Sequence, residues 1–249
     1  MPRPPRYNET GIYHVINRGV ERRNVFIDDA DYQKFMSLMA DLTDKYGIKI
    51  HSFCLMSNHY HILLETLTDN LSEALKHLNV NYSKYFNSVN QRSGHLWQGR
   101  FKSFPVFDET QFWTVAKYIE RNPIAAGIAA HIENYPYQSY HLMVADNHPF
   151  HFLLEESKIV SMGLSDYREF MDTPLQNEWL KSVYKVHRTN KNVSKQVLEH
   201  SLASFFEVEG ERNDKIRQSY RYGYTHSDIA KYLDISRMTV NKIVNNNSY

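Results

Sequence analysis

The 249-residue chain has a single cysteine, Cys54, so no internal disulfide can brace it; the apolar run around that residue suits a buried, inert thiol. No apolar stretch approaches the ~20 residues that span a bilayer, and the opening MPRPPRYNET lacks a secretory hydrophobic segment. A reducing compartment, a cytoplasmic location and no membrane partner are therefore expected. With only 9 Gly and 8 Pro against a 42% hydrophobic and 14% aromatic content, a disordered or low-complexity chain is excluded. The net charge of +1 points to no partner by itself, because a basic face can sit inside a neutral total.

The length permits one large core or two smaller ones. Gly11 to Gly19 (GIYHVINRG) is rich in β-branched and aromatic residues and reads as a strand. Phe35, Met39, Leu42 and Tyr46 recur at helical spacing from Asp29 to Tyr46, with Asp28 or Asp29 as N-cap and Gly47 as terminator. IKIHSFCLM and YHILLET, joined by Ser57-Asn58, predict a β-hairpin. A second helix runs from about Asn70 to Val89 with Leu71, Leu75, Leu78, Tyr82 and Phe86 on one side, and GRFKSFPVF supplies a fourth strand. This order is the split βαβ arrangement: an α+β, ferredoxin-like antiparallel sheet with helices on one face and the other face open to a ligand. A third helix starts at Asp108, where Asp108 and Gln111 form a capping box, stops at Asn122 before Pro123, and buries Phe112, Val115 and Ile119. Residues 1–147 form this unit, 148–189 a helical connector, and 190–249 an all-α C-terminal unit.

Chemistry concentrates at two places. His59 and His61 lie two apart on a strand, hence on one face, while Tyr60 points away. Spacing alone is weak evidence, since 13 histidines in 249 residues supply about 0.7 such pairs by chance. Tyr118 and Asn122 share one face of the third helix, flanked by Lys117 and Arg121. Taken alone, Tyr118 is an ordinary half-buried tyrosine and Asn122 a C-terminal cap.

The strings YHVINRG, LMSNHYHILLE, GHLWQGRFKS and KYIERNPIAAGI, in this order and at these intervals, resemble the single-tyrosine HUH transposases, above all the REP-associated tyrosine transposases of bacteria. The resemblance covers roughly Tyr7 to Tyr140. It implies that His59 and His61 bind a divalent metal, Mg²⁺ or Mn²⁺; that Tyr118 is the nucleophile; and that Asn122 completes the metal ligation. A tyrosine at the middle position, Tyr60, departs mildly from the family's bulky apolar residue. The implied activity is a sequence- and structure-specific cut in single-stranded DNA, leaving a 5′-phosphotyrosine and a free 3′-hydroxyl, with the reverse reaction joining strands. Lys117 and Arg121 are candidates to help the phenol ionise and to meet DNA. By resemblance, the partners are a short DNA hairpin with its single-stranded flank, the protein is nucleoid-associated, and a monomer is favoured over a homodimer.

Further DNA contacts come from the aromatic and cationic run around Trp97, Gln98, Arg100 and Lys102, and from Arg18 beside Gly19. Near the end, SDIAKYL, the turn Asp234-Ile235 and SRMTVNKIV capped by Ser236 make a helix-turn-helix pattern. Ile229, Ala230, Leu233, Ile235, Val240 and Ile243 are its core, and Asp234 stands where glycine is usual. Arg237, Met238, Thr239, Asn241 and Lys242 would face duplex DNA. Two other functions stay open: a catalytically silent DNA- or RNA-binding regulator, and a metal-dependent nuclease that uses water.

Overall fold

A computed structural model of the chain describes residues 10–145, 148–173, 202–207, 210–222, 224 and 226–245. Four strands, β1 (Gly11–Arg18), β2 (Lys49–Met56), β3 (His59–Thr66) and β4 (Lys102–Val106), pair antiparallel in the order β2-β3-β1-β4. With α1 (Asp29–Tyr46) after β1 and α2 (Leu71–Val89) after β3, this is the expected split βαβ sheet. Pro105 sits in β4, an edge strand, where a missing N–H leaves no interior ladder bond unmade.

Local signals account for the helices. The Asp28 carboxylate accepts the Asp31 N–H at 3.1 Å to start α1, and Gly47, at φ 60°, closes it with bonds to the Leu42 and Thr43 carbonyls. Asn70 precedes α2 without a side-chain cap; its Nδ2 instead donates to the Tyr46 carbonyl at 2.7 Å, tying the end of α1 to the start of α2. Both helices lie on one sheet face, where Phe35, Met39, Leu75, Leu78 and Tyr82 pack against Tyr13, Val15, Phe53, Leu55, Tyr60 and Ile62. Tyr60 therefore points away from its flanking histidines. Its hydroxyl donates to Asn79 Oδ1 at 3.1 Å, and Asn17 Nδ2 donates to the same oxygen at 3.0 Å, so the phenol is satisfied within the apolar layer.

The second face is not left bare. Across it lies α3 (Glu109–Glu120), where Asp108 accepts from the Gln111 N–H at 2.7 Å and Gln111 Oε1 accepts from the Phe107 N–H at 3.0 Å. The helix ends at Glu120, one residue pair earlier than read from the sequence, and Pro123 opens a short turn, α4 (Asn122–Ala125), where its missing N–H costs nothing. The Ser57-Asn58 connection has no left-handed residue, so it is not a primed hairpin turn. It is held from outside: Val25 and Phe26 donate to the Ser57 carbonyl, and Gly19 to that of Asn58.

The chain divides into compact units Met1–Leu180 and Lys181–Tyr249. The sequence set residues 148–189 apart as a connector, but residues 148–173 pack within the first unit. Leu153 and Leu154 join its core, and Ser157 Oγ donates to the His51 carbonyl. The stretch includes α6 (Leu164–Asp172), which follows α5 (Ser139–Val144). The remaining connector residues, 174–189, and the start of the C-terminal segment, 190–201, fall outside the described residues. In the second unit, α7 (Leu202–Glu207), α8 (Arg212–Tyr222), α9 (His226–Leu233) and α10 (Arg237–Asn245) surround Ile216, Tyr224, Ile229, Ala230 and Val240. Asp234 is left-handed at φ 51°, and Ser236 Oγ caps α10 by accepting from the Thr239 N–H at 3.0 Å. Among the described residues no helix is long and apolar enough to cross a membrane.

Candidate active site

The antiparallel register sets which residues share the α3 face. Three rows cross the sheet: Arg18 beside His59; Lys102, Ile16 and His61; and Phe104, His14 and Leu63. The two histidines of β3 thus stand next to each other, ring centroids 5.0 Å apart, as their period-two spacing predicts. From above, Tyr118 on α3 brings its ring edge-on to His61, centroids 5.5 Å apart, and to His14 at 6.0 Å. Asn122, one turn further on, puts Nδ2 3.4 Å from His61 Nε2. The predicted nucleophile and the three predicted ligands are therefore neighbours in space.

The electrostatics suit metal ligation. Burial, reinforced by the Arg18 guanidinium, pulls the His59 imidazole down to about 4, although a bond with Asn122 opposes the shift. His61, 3% exposed, is held well below its usual range by burial and by the neighbouring His14 and His59. Both rings are neutral at neutral pH and keep a lone pair. Among the described residues no three His, Cys, Asp or Glu groups gather as a metal site. His59, His61 and the Asn122 carboxamide are the side chains that could hold a cation.

Two buried residues here escaped the sequence reading. His14, fully buried on β1, places Nε2 2.9 Å from His61 Nδ1. Its only trace in the sequence is its phase with Arg18 on a strand, and that says nothing of His61 until the register is known. Glu120, also fully buried, is the last residue of α3 and lies between Tyr118 and Asn122 in sequence. Burial raises its carboxyl to about 7 against the lowering effect of bonds from Ser139, the Tyr140 N–H, Ser52 and Tyr167. In sequence it blends into a polar side, Lys117-Glu120-Arg121, that looks solvated.

Three predicted DNA contacts are placed elsewhere. Lys117 is only 5% exposed; its ammonium donates to the Phe170 carbonyl at 2.5 Å and to Thr173 Oγ1, and lies over the Phe170 ring. Arg121 donates to the Met171 carbonyl at 2.7 Å. Both cations cap the C-terminus of α6, where its carbonyl dipoles attract positive charge, rather than attending Tyr118. Trp97 packs its ring against Tyr60 and Tyr82 and donates to the Asn79 carbonyl, so it completes the core instead of offering a stacking platform. Arg18, Gln98, Arg100 and Lys102 stay at the surface, Arg18 donating twice to Gln98 Oε1 at 3.0 and 3.1 Å. Arg237, Met238, Thr239, Asn241 and Lys242 are exposed on α10, Met238 at 82%.

The split βαβ sheet carries a histidine pair beneath a tyrosine-bearing helix, and the proteins this chain resembles in sequence are transposase-like and DNA-processing. Residues 8–122 match the family described as "Transposase IS200 like", and over this stretch the resemblance read from the sequence holds. A Haemophilus influenzae protein assigned by name to the REP-associated tyrosine transposases is 24% identical over 146 residues, covering 54% of this chain and 82% of its own. Among solved structures, a REP-associated tyrosine transposase bound to a REP hairpin aligns with a TM-score of 0.49 at 19% identity, covering 60% of this chain and 90% of that one. A Deinococcus radiodurans protein assigned to the transposases aligns with a TM-score of 0.34 at 20% identity, covering 49% of this chain and 97% of that one.

Proposed function

We propose that the protein is a sequence- and structure-specific single-strand DNA endonuclease and strand transferase that works through a covalent 5′-phosphotyrosine on Tyr118. The observation that carries this reading is the convergence of Tyr118 from α3 on the His59/His61 pair of β3, with the Tyr118 and His61 rings 5.5 Å apart. The Tyr118 oxygen attacks the scissile phosphorus and gives up its proton to solvent, while the P–O3′ bond breaks and the departing O3′ takes up a proton to become a 3′-hydroxyl. The phosphodiester energy is kept in the new P–O bond, so a 3′-hydroxyl can reverse the step and join strands without ATP.

Two neutral imidazoles and a carboxamide fit a divalent cation, Mg²⁺ or Mn²⁺, with His59, His61 and Asn122 as the residues that would hold it. When bound, the ion supplies Lewis-acid stabilisation of charge on the phosphate oxygens. Asn122 would meet such an ion through Oδ1, which a rotation of the amide exchanges with Nδ2. Arg18 and Gln98 at the His59 end, with Arg100 just before β4 and Lys102 at its start, form the surface offered to the hairpin and its single-stranded flank. The segment 190–249 is read as a helix-turn-helix unit that adds duplex contact through Arg237, Thr239, Asn241 and Lys242. The monomer is the working form in this reading.

The test is a covalent adduct. Full-length protein, Mn²⁺ and labelled single-stranded oligonucleotides from the flanks of the gene are expected to yield a protein–DNA band on a denaturing gel. Tyr118→Phe and His59→Ala abolish it. Cleavage that survives Tyr118→Phe points instead to hydrolysis by water, and tight DNA binding with no cleavage by the wild type points to a silent regulator.

A further inference from the structure

Three polar side chains at the C-terminal end of α3, Lys117, Glu120 and Arg121, are tied to chain that lies beyond residue 122. Lys117 and Arg121 grip the last carbonyls of α6, as described above. Glu120 is the centre of this arrangement. Its Oε1 accepts from Ser52 Oγ of β2 at 3.0 Å, from Tyr167 Oη of α6 at 3.1 Å and from Ser139 Oγ of α5, while Oε2 accepts from the Tyr140 N–H at 3.2 Å. Ser139 Oγ also accepts from the Phe53 N–H at 2.9 Å, so α5 is itself stitched to β2. One carboxyl group thus joins four pieces of the first unit. It sits two residues after Tyr118 and two before Asn122.

A buried carboxyl with four donors around it is costly to build and has no direct contact with the site. Its four partners, unlike an apolar contact, specify one position of α3 along the sheet, because sliding the helix by a fraction of an ångström lengthens several hydrogen bonds together. We infer that Glu120 is a positioning residue: its network sets the seat of α3, and so fixes where Tyr118 and Asn122 stand over His61. This inference rests on the reading of Tyr118 as nucleophile. It implies that α5 and α6, outside the family-matched stretch 8–122, are needed for strand cleavage although they supply no reacting group.

The test uses the full chain and removes the donors and the carboxyl in separate variants. The double variant Ser139→Ala/Tyr167→Phe and the single variants Glu120→Gln and Glu120→Ala are compared with Met36→Ala, a cavity in the opposite layer that lowers stability without touching α3. At saturating oligonucleotide, the rate of adduct formation is expected to fall at least tenfold in the double variant and in Glu120→Ala. DNA affinity changes less than twofold. Glu120→Gln, which keeps an acceptor for the three hydroxyls, retains more of the rate than Glu120→Ala, and Met36→Ala keeps the wild-type rate below its melting temperature. A second readout needs no activity: the NMR signals of the His61 ring, which feel the Tyr118 ring current, are expected to shift in the network variants and not in Met36→Ala. Folded network variants with wild-type rates and unmoved His61 signals overturn the inference. A wild type that forms no adduct sinks the nucleophile reading instead. The ring signals then decide the positioning role alone, unmoved signals rejecting it and shifted ones sustaining it.

Discussion

The bond between His14 and His61 gives the most direct test of how the histidine pair is prepared for a cation. If His61 ligates through Nε2, its proton must sit on Nδ1 and be donated to His14 Nε2, 2.9 Å away, which places the proton of His14 on its own Nδ1. His14→Phe keeps a ring of similar size between Phe104 and Tyr118, whose centroids each lie 6.0 Å from the His14 ring, but removes the acceptor. A buried N–H left without a partner costs about 1–3 kcal/mol. Loss of an outer partner of a ligating histidine typically weakens metal binding by about 10–100-fold, and tenfold corresponds to about 1.4 kcal/mol, so the two scales agree. Calorimetric titration with Mn²⁺ should therefore show His14→Phe binding about 10–100-fold more weakly than the wild type. His14→Gln, which can still accept a hydrogen bond, should fall between them. A melting curve confirms that each variant is folded. A folded His14→Phe protein that binds Mn²⁺ within twofold of wild type refutes the claim that His14 sets the tautomer and aim of His61.

Three further outcomes follow from particular contacts. His51, fully buried beside Glu65, Lys49 and Lys158, has its pKa lowered from 6.5 to about 4, chiefly by burial. The unfolded chain takes up this proton as pH falls through 6.5 while the folded chain resists until about 4, so stability drops across that window by up to about 3 kcal/mol. His51→Gln should flatten the decline of melting temperature between pH 7 and 4.5, and an unchanged slope rejects the argument. At Gly19 an added Cβ would lie 2.4 Å from the Arg23 carbonyl oxygen and 2.8 Å from Val25 Cγ1, so Gly19→Ala must push apart the loop that braces the Ser57-Asn58 turn. A loss of about 1–3 kcal/mol in denaturant unfolding is expected. Arg18→Ala, removing a cation beside His59, should weaken oligonucleotide binding and reduce the slope of log affinity against log salt by about 1; a slope equal to wild type places Arg18 off the phosphate path.

What the sequence reveals and what it hides divides along a physical line. Period-two and period-3.6 patterns, caps and a two-residue connection are local, and they give the strands, helices and order of the first unit, together with the His59/His61 pair. The C-terminal helices are legible for the same reason: Ser236 caps where expected, and Ile229, Ala230 and Val240 are buried. Tyr118 and Asn122 needed a motif, because no spacing rule carries a helix residue to a strand so distant in sequence. Side-chain direction was lost wherever a polar face meets more chain. Lys117 and Arg121 have the composition of a DNA-facing surface, yet α6 offers its terminal carbonyls to them, and a cation takes that partner as readily as a phosphate.

The same blindness explains Trp97 and Glu120. An exposed-looking tryptophan between charged residues and a lone glutamate on a helix both read as surface, since hydropathy measures a residue and not its neighbour. Each turned inward because a segment distant from it in sequence packs on it: α2 supplies the Asn79 carbonyl for the indole N–H, and α5 and α6 supply donors for the carboxyl. The pieces that could react are thus encoded in short motifs, whereas the contacts that hold them in place are spread over residues 139–173, where no motif announces them. Substitutions in that stretch are the ones from which a family pattern predicts nothing and the hydrogen-bond geometry predicts a defect in cleavage.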